Sequence, residues 1–486
     1  MRRGAIGLVA ILAAAAAATP AWAGEATARD VQAAVDGYLA SSEADAALVG
    51  GPGSAGYDAG FWIRGGDFLL RINLTLQARF EAQDWDDPEP VPGGDLSGYS
   101  LPRATVKLSG EAPCDICWYL ELEFGHPGVF QRNQLFRTGT RALLPPSSTH
   151  LPGGGEPERE GFYRNDYLTT IGAGPLTNPG NIGPYDQTFN FDNSREAWIE
   201  WCSCPSFNVR MGQIKTPNTR QLMTPPELQQ FIDVSLASAW VGQGMPGYTD
   251  RNRDHGVMVH GSFGCENDFS YMLAVTNGDG GDSIRNVLDD RTDDNLAYSA
   301  RVNWAFLKPI GYEEGALRQM TCEWYGEVGA WVFYHADRID KPHTVEGDVL
   351  VFGVDLALGY GGFSFTGAFT VEDVSDFPGG DASATSWLAQ VGYLFPGTAW
   401  EVAARIDSYA TDPDAGSIVN DGSVTELAFA LNYYLNGHGN KLSADVAFLD
   451  ASDEATGIID FYTGYGDFLG GENSAILLRF QWQLAL

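Results

Sequence analysis

Eight basic residues fall between apolar neighbours in stretches that alternate in polarity: Arg71, Arg79, Arg103, Lys107, Arg210, Arg301, Arg405 and Arg479. The guanidinium group is planar and presents a fork of donors that matches a carboxylate or a phosphate. The chain relies on it heavily, since 24 of its 29 basic residues are arginine. Aligned along a narrow, partly dry passage, such groups lower the barrier for an anion. Glu121, Glu123, Glu200, Glu401 and Asp407 share their parity. Paired with these carboxylates, the same arginines would brace a wall instead, and the sequence leaves both roles open.

Covalent chemistry finds little support. The chain has no H-E-x-x-H, G-x-S-x-G or Walker motif. Its seven histidines are scattered, and His255 and His260, five apart, point to opposite faces of a strand. The acidic run at 277–295 lacks the ligand spacing of a calcium loop and reads as a solvated surface loop. Six cysteines (Cys114, Cys117, Cys202, Cys204, Cys265 and Cys322) lie in or beside short turns. Disulfides or unpaired thiols fit them better than zinc, and Cys114 with Cys117 within one turn is the easier pairing. No cofactor or metal is expected, and a formal charge of -34 argues against a nucleic-acid partner.

The elements that carry the basic row are strands. In "LLRINLTLQARF" every second residue is apolar, from Leu70 to Phe80, and polar residues alternate with them. "LPRATVKLSG", "AYSARVNWAF", "EVAARIDSY" and "ILLRFQWQL" repeat the division, with charges at mid-strand. About sixteen such segments run from residue 67 to the end. Their connections alternate between short turns and long loops rich in Asp, Gly and Pro, with 307–322 a longer exception on the short-turn side. Aromatic residues stand near strand ends, among them Trp118, Tyr119, Trp201, Trp304, Trp324, Trp400, Tyr433, Tyr434 and Trp482. This is the pattern of an outer-membrane barrel with lipid outside, a wet lumen and short periplasmic turns.

The N-terminus reads as an export signal over residues 1–23: Arg2 and Arg3, an apolar run, then Ala21-Trp22-Ala23. Residues 24–60 read as a short periplasmic extension, partly helical at Val31, Val35 and Leu39, with a Gly-rich linker. Residues 61–486 form the barrel domain. Within the third long loop, 225–242 is helix-like; Leu228, Phe231, Ile232 and Leu236 would pack it against the inner wall, and a surface helix at the rim is the other placement.

The stretch 194–262 resembles the phosphate-selective porin O and P family. Its Gly212, Lys215 and Pro217 match a G-x-x-K-x-P loop start. Phe231, Asp233 and Ser235 match an F-x-E-R-S-like stretch, and Arg253, Asp254, Gly256, Val257, His260 and Gly261 match the opening of the next strand. Val234 stands where that family has Arg, and Leu486 where barrels usually end in an aromatic residue. The resemblance implies a sixteen-stranded outer-membrane porin, commonly trimeric, whose third long loop folds into the pore. Lys215, Arg220, Phe231 and Asp233 are then expected at the constriction, with outer-membrane lipid and small hydrophilic solutes or anions as partners. A secreted all-β carbohydrate-active hydrolase and a non-conducting envelope barrel are the two other readings.

Overall fold

The computed structural model describes residues 54–57, 60–85, 96–124, 194–243, 252–264, 268–278, 295–317, 322–340, 345–375, 381–413, 421–452 and 474–486. The export signal, the helix expected within 24–49, most of the long loops and residues 279–294 of the acidic run lie outside them. Sixteen strands, β3 (Phe68–Trp85) to β18 (Ser474–Ala485), pair antiparallel with their sequence neighbours. The sheet closes on itself where β18 pairs with β3, with Phe480 opposite Phe80 and Gln481 opposite Arg79. Leu486 exchanges both backbone hydrogen bonds with Leu74 at this seam. Closure pairs each of the sixteen barrel strands on both sides.

Two further strands were not expected. Ser54–Tyr57 (β1), inside the segment read as a linker, pairs with Phe61–Gly65 (β2). β2 then pairs with β3 from Phe68 to Ile72, just beyond the point where β18 ends. The ribbon therefore continues the line of the C-terminal strand along the same edge of β3.

The polar face is the inner one. On β3, Leu74 and Leu76 are 40% and 44% exposed, whereas Gln77 and Arg79 are 0% and 2%. Trp201, Trp304, Trp324 and Trp482 likewise point outward. A water-soluble sandwich would bury these residues; a transmembrane β-barrel presents them to lipid. Tyr119 and Tyr434 are exceptions to the expected aromatic belt. Each follows an outward aromatic, Trp118 or Tyr433, so alternation turns it into the lumen.

The lumen is not polar throughout. Trp331, Phe333, Val349, Val351, Val424, Leu449 and Leu477 face inward as an apolar cluster. Against it packs the third long loop, which holds α1 (Arg220–Met223), a 3-10 turn at Pro226–Leu228 and α2 (Leu236–Gln243). Phe231, Ile232 and Leu236 are buried as expected, but no single helix covers 225–242. Between the two helical pieces, carboxylates take the backbone N–H groups that a helix would have used. Gln230 N donates to Glu314 at 2.9 Å and Ile232 N to Asp445 at 3.2 Å. The α2 backbone is held similarly, Ala237 N donating to Asp407 at 2.9 Å.

The long exception among the short turns also folds inward. Ile310, Glu313, Glu314 and Ala316 are buried in the lumen. Glu314 N donates to the Leu228 carbonyl at 3.0 Å, and Ala316 N to Glu401 at 3.1 Å. Two inturned segments, one from each end of the barrel, thus meet at mid-lumen.

Cysteine pairing departs from expectation. The disulfide joins Cys117 to Cys202, whose Cα atoms are 6.2 Å apart. β5 (Ile116–Glu123) and β6 (Ser194–Cys204) are hydrogen-bonded neighbours, joined by a long loop at the end away from the cysteines. Their far ends therefore lie one strand spacing apart, within disulfide reach, where two neighbouring turns would not be. Cys114, Cys204 and Cys322 are exposed free thiols.

Candidate functional site

The lumen at mid-height divides into a filled side and an open side. On the filled side the loop is fastened by Asp233. Arg79 Nη1 and Nη2 donate to its carboxylate at 2.8 and 2.9 Å, and Arg479 Nη1 donates at 2.9 Å. Arg405 donates to the Asp233 carbonyl at 3.0 Å, and its guanidinium carbon lies 4.3 Å from the centre of the Phe231 ring. Each arginine also holds a wall carboxylate: Arg79 with Glu81, Arg479 with Asp445, Arg405 with Glu426. Burial pushes the Asp233 carboxyl up, but the Arg79 and Arg479 charges outweigh it and hold the group below the usual carboxylate range.

A second clamp lies on β10 (Ala297–Ala305). Arg301 makes a bidentate pair with Asp355, both bonds 2.7 Å, and donates to the Asn218 carbonyl at 2.7 Å and to Tyr312 Oη at 2.9 Å. One side chain ties the wall, the loop and the inturned connection together. Arg220, on α1, donates to Glu327 at 3.2 Å and to the Gly311 carbonyl. On the filled side the bracing role of the basic row is therefore the one realised.

The open side lies along β4 (Leu96–Ala112) to β9 (Phe269–Thr276). A cavity of about 260 Å³ remains there between the wall and the loop. Its charged lining includes Lys107, Arg210, Lys215, Arg253 and His260, with Glu121 and Glu196. Arg210 donates to Glu200 at 2.6 Å and lies 3.8 Å over the Trp198 ring. His260 Nε2 shares Glu200 at 2.9 Å. Lys107 pairs with Glu227 of the loop, whose carboxyl burial raises but Lys107 draws below its ordinary range. Lys215 is the last residue of β7 (Phe207–Lys215), not a loop residue as expected. Its ammonium donates to the Met223 carbonyl at 3.2 Å.

Two members of the basic row stand apart. Arg71 is exposed near the short-turn end, opposite Trp62 and Ser109, away from the constriction. Arg103 faces the lumen with Nη1 buried and without a hydrogen-bond partner among the described residues.

The backbone explains one motif position. Gly212 has φ +138°, and a Cβ there would lie 2.2 Å from the Ala197 carbonyl oxygen of β6. Only glycine allows this approach, which seats Arg210 and Lys215 on either side of it.

Residues not anticipated at the site are Tyr119, Glu196, Met223, Met258 and Met272 of the cavity, and Gln230 and Glu314 of the inturned contacts. A signal existed for the methionines: Met258 and Met272 occupy lumen parity among polar positions. For the apolar lumen cluster the signal was "AWVFYH" and "DVLVFGV", where alternation lapses because both faces are covered.

The fold matches solved outer-membrane proteins. An anion-selective porin from Comamonas acidovorans aligns at a TM-score of 0.51 and 12% identity, covering 86% of this chain and 100% of that one. OprB from Pseudomonas putida aligns at 0.49 and 10% identity, covering 86% and 94%. OmpT of Vibrio cholerae, lacking its loop L8, aligns at 0.48 and 7% identity, covering 86% and 100%. No protein-family model matches the chain, and no curated protein does. The Comamonas match bears on fold alone: a sixteen-stranded transmembrane β-barrel.

Proposed function

We propose that this chain is an outer-membrane porin, exported by way of residues 1–23, that passes small hydrophilic solutes by diffusion and favours anions. The observation behind this reading is the open cavity, where Lys215 faces the lining with a hydrogen bond to the Met223 carbonyl and no ion-pair carboxylate among the described residues, while Lys107, Arg210 and Arg253 are paired. The filled side contributes rigidity, because its arginines already hold carboxylates. The solved Comamonas porin is described as anion-selective, which agrees with the lean. Phosphate is the solute the motif resemblance suggests, and a homotrimer the assembly.

Purified protein in a planar bilayer under a KCl gradient tests the reading. Stepwise conductance with an anion-sided reversal potential is expected, and added phosphate should interrupt the steps. Cation-sided steps would remove the anion preference. Folded protein that never conducts would favour the envelope barrel, a second reading supported by the two segments that meet inside the lumen.

A further inference from the structure

The lining of the open cavity has two chemistries. A lumen wall in a water-filled barrel is ordinarily polar. Here Met258 and Met272 from the wall and Met223, Pro225 and Pro226 from the loop all line the cavity. Met258 packs with Ile214 and Ala274, and Trp198 and Met272 pack against that cluster. Trp198 in turn stacks on Tyr119, their ring centres 5.4 Å apart. The apolar side chains of the lining thus come from wall strands between β5 and β9 and from the loop. Methionine is polarisable and conforms to the shape of an apolar guest, an aromatic ring included.

Beside that face stands an ammonium with donors to spare. Lys215 has three N–H groups, and among the described residues its hydrogen bond is the one to the Met223 carbonyl. No carboxylate oxygen among the described residues lies within ion-pair distance of it, unlike Lys107, Arg210 and Arg253, which pair with Glu227, Glu200 and Glu196. Inorganic phosphate would use the charge but leave the methionine face wet. A neutral sugar would use neither.

We infer that the cavity is a binding site for small organic carboxylates with an apolar or aromatic body, the carboxylate on Lys215 and the body on the Met223–Met258–Met272 face. This deepens the porin reading and rests on it. The volume, about 260 Å³, is just under the usual range for drug-sized ligands, so a single ring with a short acid fits.

The test is current interruption in planar bilayers, with benzoate, acetate and phosphate compared on the same channels. Benzoate should half-block at a concentration about tenfold lower than acetate, the separation that one buried ring can supply. M272S and M223S, on wall and loop respectively, should each bring the benzoate-to-acetate ratio towards one. K215Q should weaken both acids while sparing the ratio. Because the readout is a ratio within each variant, a changed conductance does not obscure it, and a variant that fails to insert is replaced by the other. Equal block by all three anions in a conducting channel would overturn the inference and leave the porin standing. A ratio unchanged in both methionine variants would also overturn it. Folded protein without conductance would overturn the porin reading and this inference together.

Discussion

The filled and open sides of the lumen are built from the same strand pattern but use it differently. On the filled side, carried by β10 to β18 and the adjoining β3, four arginines are committed to carboxylates and to the inturned chain. Arg79, Arg301, Arg405 and Arg479 each hold a carboxylate and a piece of the inturned chain. On the open side, β4 to β9, the basic groups face a cavity, and one of them, Lys215, keeps donors unspent. Charge at alternate positions therefore predicts which face is inner, but not whether a charge serves structure or passage. That depends on what the loop brings against it. Where the loop brings a carboxylate or a backbone carbonyl, the arginine becomes a clamp.

The largest effect that would test this contrast is removal of a saturated arginine. Arg301→Met strands Asp355 in a buried site and cuts the ties to Asn218 and Tyr312. Breaking one partner of a buried pair costs about 3–5 kcal/mol. Urea unfolding in detergent should show a loss of that size. A loss under about 1 kcal/mol would mean that water reaches the pair and the side is not filled.

Next comes the covalent tie of the open side. β5 and β6 are joined by a long loop at one end and by Cys117–Cys202 at the other, 85 residues apart in sequence. Opening a cross-link over so long a segment costs about 2–4 kcal/mol in the unfolded-chain model. The C117S/C202S double variant should lose stability accordingly, while C204S, at an exposed free thiol, should stay within about 0.5 kcal/mol. Equal losses in both would show that the pairing lies elsewhere.

Asp233→Asn is milder, because Arg79 and Arg479 retain Glu81 and Asp445 when the loop carboxylate loses its charge. The loop then gives up charge-assisted bonds worth about 1–3 kcal/mol. Single-channel traces should become noisier and the mean conductance larger. The same anchor carries a pH dependence. A carboxyl held below its unfolded value stabilises fully above that value, about pH 4, and loses the contribution as pH falls through the lower folded value. Wild-type traces should be steady from pH 8 to about pH 4 and turn noisy only in stronger acid. Noise that begins near pH 6 would assign the anchor to another group.

Much of this was legible in the chain. All sixteen barrel strands and the inner polar face follow from period-two alternation and loop lengths, because lipid imposes a strict rule on every spanning residue, whereas the inward third loop rested on the motif resemblance and on the apolar positions of 225–242. Details set by contact between distant segments were not legible. The expected helix over 225–242 breaks because Glu314 and Asp445, which no local pattern associates with it, take its backbone donors. The disulfide was misread because Cys117 and Cys202 become neighbours only through strand pairing across an intervening loop. Lys107 and Lys215 look alike in sequence, yet one meets Glu227 and the other does not.

That last pair supplies the smallest and most discriminating effect on stability. Lys215→Gln removes an ammonium whose hydrogen bond is to a single carbonyl, so the stability change should be about 1 kcal/mol or less. Selectivity should respond instead, because a charge on the lining of a confined passage acts on every ion that crosses it. Under a KCl gradient the reversal potential should move towards the cation side, and K215E should move it further in the same direction. R301M/D355L, which removes a paired charge of each sign, should leave the reversal potential near that of the wild type. If instead K215Q destabilises the barrel as strongly as R301M and leaves the reversal potential in place, Lys215 is one more clamp, and the division of the lumen into a braced side and a conducting side is wrong.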